Sequence, residues 1–247
     1  MSIRDRVSQV IGRLTNSRRA VNWRLPDVDP AVREIYHRVA EFTMTSPERI
    51  AAVCDAVRYV TAARISGAYV ECGVWRGGSS MAAAIAFLSA GITDRSFHLF
   101  DTFEGMPEPT EHDRRASDNA EAVEILRKSN QSEKIWCKAS IEDVMANMAS
   151  TEYPNSRVHY CRGMVEQTIP KHAPDQIAIL RLDTDWYEST RHELEHLFPR
   201  LSPGGVLIVD DYGYWAGARK AVDEYFAARP ILLNRIDQTG RIAVKLT

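Results

Sequence analysis

"IAILRLDTDWYEST", residues 177–190, is an apolar run of strand length that stops at Asp183, adds Asp185 and passes into a helical pattern. Residues 204–213, "GGVLIVDDYG", repeat the plan: an apolar run closed by Asp210 and Asp211, followed by the helix-like "AGARKAVDEYFAARP". Short continuous apolar runs suit strands buried on both faces, and strands alternating with helices suit a mostly parallel sheet with helices on both sides. Upstream the alternation continues. "AYVECGV", "SFHLFD" and "RVHYCRG" read as strands, and "GGSSMAAAIAFLSAGI" and "SIEDVMANMAS" as helices. Before them, "SPERIAAVCDAVRYVTAARI" reads as a helix capped by Ser46, with Pro47 in its first turn. At the end, "ILLNRIDQTGRIAVKL" gives two strand-like runs about a QTG turn, a hairpin that adds an antiparallel strand. The expectation is one α/β domain over residues 46–247, a doubly wound sheet, preceded by an N-terminal extension over residues 1–45.

The bulk composition narrows the class. A chain of 247 residues is long enough for one such domain and its core, and a net charge of −2 gives no global signal for nucleic acid or an anionic membrane. The basic stretch "IRDRVSQVIGRLTNSRR" reads as a solvated amphipathic arm, with a membrane anchor as the alternative. It lacks the unbroken apolar core of a signal peptide, and no later run reaches the length of a membrane span. The four cysteines form no CxxC pair, so they read as reduced thiols in a cytoplasmic protein. Val21, Trp23, Leu25 and Tyr36 are apolar positions outside the strand–helix alternation. They predict a homo-oligomer, in the simplest case a dimer, with the N-terminal segment at the interface or forming a lid.

Ligands of doubly wound sheets bind beyond the carboxyl ends of the strands. Glu71, Asp101, Asp183, Asp210 and Asp211 all fall there. In "ECGVWRGGSS", Gly73 ends the first strand and Gly77–Gly78 opens the helix, allowing a tight turn and close approach of a ligand. Trp75 stands where a dinucleotide site needs a glycine beside the pyrophosphate, which argues against NAD and for a nucleoside cofactor without phosphates. Asp101, at the end of the second strand, is placed to accept hydrogen bonds from ribose hydroxyls; a turn or cap aspartate is the alternative.

Asp183 and Asp185 also suit helix capping, Asp185 being the better placed, and Asp210 and Asp211 suit a solvated loop. If the two acidic strands are neighbours, however, their carboxylates converge. Converging carboxylates repel unless protonated or bound to a cation, and a hard divalent cation resolves the conflict.

"YVECGVWRGGSS", "DTFEGMP", "LRLDTDWYEST", "LSPGGVLIVDDYG" and "ARKAVDEYF" resemble, in order, the motifs of the macrocin O-methyltransferase family, from about Thr43 to the C-terminus. That family consists of metal- and S-adenosylmethionine-dependent enzymes that methylate sugar hydroxyls on macrolides and related glycosylated natural products. The resemblance implies a class I methyltransferase fold. It implies that Glu71, Gly73, Trp75, Arg76 and Gly77 line the amino-acid end of S-adenosylmethionine. Asp101 would hold the ribose, with Thr102, Phe103 and Gly105 beside it. Thr43 and Met44 would close over the cofactor, and Ser140 would contact the adenine. Asp183, Asp210 and Asp211 would bind magnesium or another divalent cation, and Asp183 would also serve as the general base. The lysine that catechol O-methyltransferases carry near their first acidic ligand is absent, since Thr184, Asp185 and Trp186 follow Asp183.

The acceptor implied is a glycosylated small molecule. A phenolic or catechol acceptor, or a non-catalytic cofactor-binding domain, are the alternatives. The polar stretch 104–119 reads as a lid over the acceptor or as an ordinary surface loop, and its His112 is a weaker base candidate than Asp183.

Overall fold

The computed structural model describes residues 27–130 and 134–247. Its strands are β1 (Ala68–Cys72), β2 (Phe97–Asp101), β3 (Val158–Arg162), β4 (Ile177–Leu182), β5 (Leu201–Val209), β6 (Asn234–Arg235) and β7 (Arg241–Val244). They form one sheet in the order β3-β2-β1-β4-β5-β7-β6. The first five run parallel; β7 returns antiparallel to β5 and carries β6. The strand order reverses between β1 and β4, so a crevice opens at their carboxyl ends. The final hairpin is shorter than its sequence predicts. Ile231 and Leu233 pack against the helical layer and leave a two-residue β6 to pair.

The α-helices are α1 (Pro30–Val39), α2 (Pro47–Ala62), α3 (Gly78–Ser89), α4 (Ala122–Lys128), α5 (Ile141–Ala149), α6 (Val165–Thr168), α7 (Tyr187–Leu197) and α8 (Ala216–Phe226). One face of the sheet, with Tyr69, Leu99, Ile179 and Ile208, packs under α1, α2, α3 and α5. The other, with Val70, Phe100, Leu180 and Leu207, packs under α6, α7 and α8. Every residue of β1 and β4 is buried, which is why both read as apolar runs broken by a single charge each, Glu71 and Arg181.

Two helix starts are as the sequence dictates. Ser46 Oγ accepts the Arg49 N–H at 3.2 Å with Pro47 in the first turn of α2. In α1, Asp29 accepts the Ala31 N–H at 2.8 Å with Pro30 in the first turn. Helix α1 lies inside the stretch read as an extension. It buries Val32, Ile35 and Val39 against α2 and α3, and Tyr36 packs into the same core. Tyr36 therefore finds its burial within its own chain, whereas Val21, Trp23 and Leu25 lie outside the described residues. No described helix is long and apolar enough to cross a membrane. All four cysteines are free thiols.

Candidate active site

A cavity of about 430 Å³ opens at the carboxyl ends of β1, β2, β4 and β5. Its floor depends on two glycines. Gly73 has φ +80°, and a Cβ there would lie 1.9 Å from the Asp183 carbonyl oxygen. The bare backbone lets the end of β1 abut the end of β4, where Asp183 N–H donates to Cys72 O at 2.8 Å. A Cβ on Gly78 would meet Phe42 O and Thr43 Cβ at 2.6 Å, and the Gly78 N–H donates to Phe42 O at 2.9 Å. The segment 42–45 thus closes directly onto the glycine turn.

Asp101 organises that turn. Its Oδ2 accepts the N–H groups of Val74 (2.6 Å) and Trp75 (3.0 Å), and its Oδ1 accepts that of Phe103 (2.7 Å). These bonds hold Trp75 and Phe103 in left-handed backbone conformations, φ +47° and +54°. Burial pushes the Asp101 carboxyl up, and the three N–H donors pull it back. The Thr102 hydroxyl also donates to Oδ1, at 3.4 Å, so each oxygen of Asp101 already meets two donors of its own chain.

The sequence-predicted cofactor residues divide into two sets. Thr43, Met44, Glu71, Gly73, Trp75, Asp101, Thr102 and Gly105 line the cavity. Arg76, Gly77, Phe103 and Ser140 stand behind it. Arg76 forks onto Asp143 (2.8 and 3.0 Å) and so pins α5. Gly77 starts α3, Phe103 is buried in the core, and Ser140 caps α5 by accepting the Asp143 N–H at 3.3 Å.

The acidic side is built by adjacent strands. Asp210 N–H donates to Leu182 O at 2.9 Å, extending the β4–β5 ladder past its end. Carboxylate oxygens of Asp183, Asp210 and Asp211 lie within 4.8 Å of one another. Two arginines, neither singled out from the sequence, share the site. Arg181, 1% exposed, donates to Glu71 (2.6 Å), Asp183 (2.7 Å) and Asp210 (2.5 Å). Arg49, from the start of α2, bonds Asp210 Oδ2 and reaches Asp237 at 3.0 Å. The signal for Arg181 was present: one cation in a central apolar run, in register with the one anion of β1.

Carboxylates still outnumber guanidiniums. Burial first, with Asp210 and Asp211 adding to it against Arg181, raises Asp183 well above the usual carboxylate range. Asp211 is raised likewise by burial and by Asp185, and its Oδ2 is buried without a partner. Burial, followed by the charge of Asp183, pushes Asp185 up to about 8. An all-oxygen donor set with an orphaned buried carboxylate oxygen fits a hard divalent cation.

Asp185 is not the helix cap its position predicts. It sits at φ +67° and accepts the Trp215 Nε1–H at 2.8 Å. The start of α7 is served instead by Asp113, whose Oδ1 accepts the Tyr187 N–H at 2.8 Å. Asp113 is 1% exposed although it comes from the polar stretch 104–119, which is tied down further by Ala116 N–H to Tyr214 O and Ala216 N–H to Arg114 O, both 2.8 Å. His112 packs on Tyr187, 4.6 Å between ring centroids, and does not line the cavity.

A family model for macrocin O-methyltransferase (TylF) matches residues 4–244. The chain belongs to that family. It is an S-adenosylmethionine-dependent O-methyltransferase. The match starts well upstream of Thr43 and takes in α1. A Streptomyces olivaceus protein, 8-demethyl-8-(2,3-dimethoxy-alpha-L-rhamnosyl)-tetracenomycin-C 4'-O-methyltransferase, is 34% identical over 217 residues, 87% of this chain and 80% of that one. Demethyldecarbamoylnovobiocin O-methyltransferase of Streptomyces niveus is 34% identical over 200 residues, 80% of this chain and 73% of that one. Among solved structures, the O-methyltransferase NovP matches with a TM-score of 0.72 at 29% identity, over 83% of each chain. In this methyltransferase, then, the glycine turn and the acidic strand ends open onto one cavity.

Proposed function

We propose that this methyltransferase moves the methyl group of S-adenosylmethionine onto a sugar hydroxyl of a glycosylated natural product, with Asp183, Asp210 and Asp211 holding magnesium or a similar divalent cation. The observation that carries the proposal is the convergence of three carboxylates on the cavity that the glycine turn enters. The sugar acceptor is supported by relatives. One is named for the 4'-O position of a rhamnosyl tetracenomycin, and another, 32% identical over 192 residues, for the 3''-O position of mycinamicin III.

The acceptor oxygen attacks the methyl carbon in line, the carbon–sulfur bond breaks, and S-adenosylhomocysteine leaves. The hydroxyl proton passes to a carboxylate, for which Asp183 is assigned because its partly exposed side chain faces the cavity. When bound, the divalent cation supplies the positive charge that makes a hydroxyl easier to deprotonate. Asp101 and the turn it braces fix the cofactor side. Met44 and Tyr214, 43% and 38% exposed, offer apolar surface at the same cavity for the rest of the acceptor. Alignment of the reacting atoms is worth several kcal/mol or more, on the order of 7–11 at best. The four free thiols support a cytoplasmic setting for the reaction.

The test incubates the purified enzyme with labelled S-adenosylmethionine and a panel of glycosides and phenols, followed by mass spectrometry. Methylated glycoside that disappears in excess chelator and returns with magnesium is the expected result. Methylation undiminished by chelator would remove the cation, and turnover of phenols alone would remove the sugar.

A further inference from the structure

Arg181 is a buried charge on the central strand β4, in register between Glu71 of β1 and Ile208 of β5. Its Nη1 donates to Glu71 Oε1 at 2.6 Å and to Asp183 Oδ2 at 2.7 Å, and its Nη2 donates to Asp210 Oδ1 at 2.5 Å. Glu71 is itself immobilised, because Tyr69 O–H (3.0 Å) and Ser80 Oγ–H both donate to its Oε2. The guanidinium is therefore locked from the core side. Toward the cavity it holds two of the three aspartates at which the cation is proposed to bind. Asp211 receives no such hold: its Oδ2 is buried without a partner. Three converging carboxylates repel and, left to themselves, rotate apart. A planar guanidinium sends its N–H donors out in fixed directions, so its single bonds to Glu71, Asp183 and Asp210 hold the three carboxylates at fixed points around one rigid group, which a point-charge ammonium on a flexible stem does not.

We propose that Arg181 is a positioning residue of the methyl transfer. Its guanidinium turns Asp183 and Asp210 toward one point and engages one oxygen of Asp183, so that the other oxygen of Asp183 is the one left for the cation or the proton. This rests on the reading that these aspartates hold a divalent cation. It also assigns Glu71 a part different from cofactor contact, since its Oε1 accepts from Arg181 while its Oε2 accepts from Tyr69 and Ser80.

Manganese(II), detected by electron paramagnetic resonance, is the probe, with S-adenosylhomocysteine titration and thermal melting run on the same samples. Two variants are compared with the wild type. Arg181→Lys keeps the charge and loses the fork. The double variant Glu71→Gln/Arg181→Met removes both buried charges together, so that neither is left unpaired. Both variants are expected to melt near the wild type and to bind S-adenosylhomocysteine within about two-fold. They should bind manganese about ten-fold or more weakly and lose about 10- to 100-fold in kcat, the range seen when a partner of a metal ligand is removed, with little change in KM for S-adenosylmethionine. Manganese affinity and kcat at wild-type values in both variants would overturn the proposal. So would a parallel loss of melting temperature, S-adenosylhomocysteine binding and manganese binding in both, which is the mark of a purely structural ion pair. A wild type that binds no manganese overturns the cation reading and this one with it, whereas wild-type binding matched by the variants defeats the positioning role alone.

Discussion

Asp183 is used through different atoms: its carbonyl oxygen lies against Gly73 and its Oδ2 is held by Arg181, and the proposed function adds the part of base. Asp183→Asn keeps the size and removes the charge. Turnover should fall by about 100-fold or more, while S-adenosylhomocysteine affinity, measured by calorimetry, stays within a few-fold because the cofactor turn is braced by Asp101. Wild-type turnover in that variant would return Asp183 to the role of a loop residue. Gly73→Ala acts through the backbone instead. Its Cβ would press on main-chain atoms that have no rotamer to yield, so urea unfolding should show a loss of at least about 2 kcal/mol. Asp101→Ala frees three backbone N–H groups and should weaken S-adenosylhomocysteine binding by about 1–3 kcal/mol through a disordered turn. The strand-end aspartates were legible in the sequence because acids closing apolar runs conflict with burial. Glu71 and Arg181 were legible in principle as lone charges in buried strands, but their pairing needed the register of β1 with β4. Asp113 was not legible at all, since its partner Tyr187 lies 74 residues away and no local pattern joins them.

Strands β1 to β5 and helices α3, α5 and α7 between them followed from alternation, because strands buried on both faces and amphipathic helices leave period-specific patterns, whereas the short α4 and α6 were not read. Helix α1 was missed as part of the packed body. Its buried positions, Val32, Ile35 and Val39, keep helical spacing, but the turn-rich "LPDVDP" before it looks like the end of a tail. Strands β2 and β3 carry a stability switch unrelated to catalysis. His98 faces its register partner His159 at 4.6 Å between ring centroids, and its Nδ1 is buried without a partner. Burial, then the neighbouring His159, lowers His98 to about 4. The unfolded chain takes up this proton near pH 6.5 and the folded chain near 4, so the stability contributed by neutral His98 is complete above about pH 6.5 and is lost as pH falls toward 4. With partial exposure discounting the full linkage, the loss should be about 1–3 kcal/mol. Urea midpoints at neutral and mildly acidic pH should show it in the wild type and show a flatter dependence in His98→Gln. An equal slope in both would place the acid sensitivity elsewhere.

At the scale of the whole molecule, two expectations remain open to measurement. The first is assembly. Leu232 and Leu246 are 76% and 81% exposed, and Val21, Trp23 and Leu25 add apolar sequence outside the described residues. A dimer is the expected species in sedimentation, and a monomer at micromolar concentration would count against it. The second concerns how the two halves of the cavity communicate. The cofactor half is made by the β1–α3 turn, the end of β2 and the segment 42–45. The acidic half is made by β4, β5 and the start of α2. They share two seams: Gly73 against Asp183, and residues 42–49, where Phe42 O accepts from Gly78 while Thr45 and Arg49 bond Asp210. A ligand that orders either half therefore removes part of the ordering cost of the other, which makes the coupling favourable in sign. Linkage requires it to be reciprocal. Magnesium at saturation should tighten S-adenosylhomocysteine by about 5-fold, and S-adenosylhomocysteine should tighten manganese by the same factor, within the usual range of about 1–3 kcal/mol for coupled sites. Replacing Arg49 with Met cuts one strand of the second seam and should lower both factors together. Independent binding in the wild type, with neither ligand sensing the other, would mean that the shared backbone is rigid before either arrives.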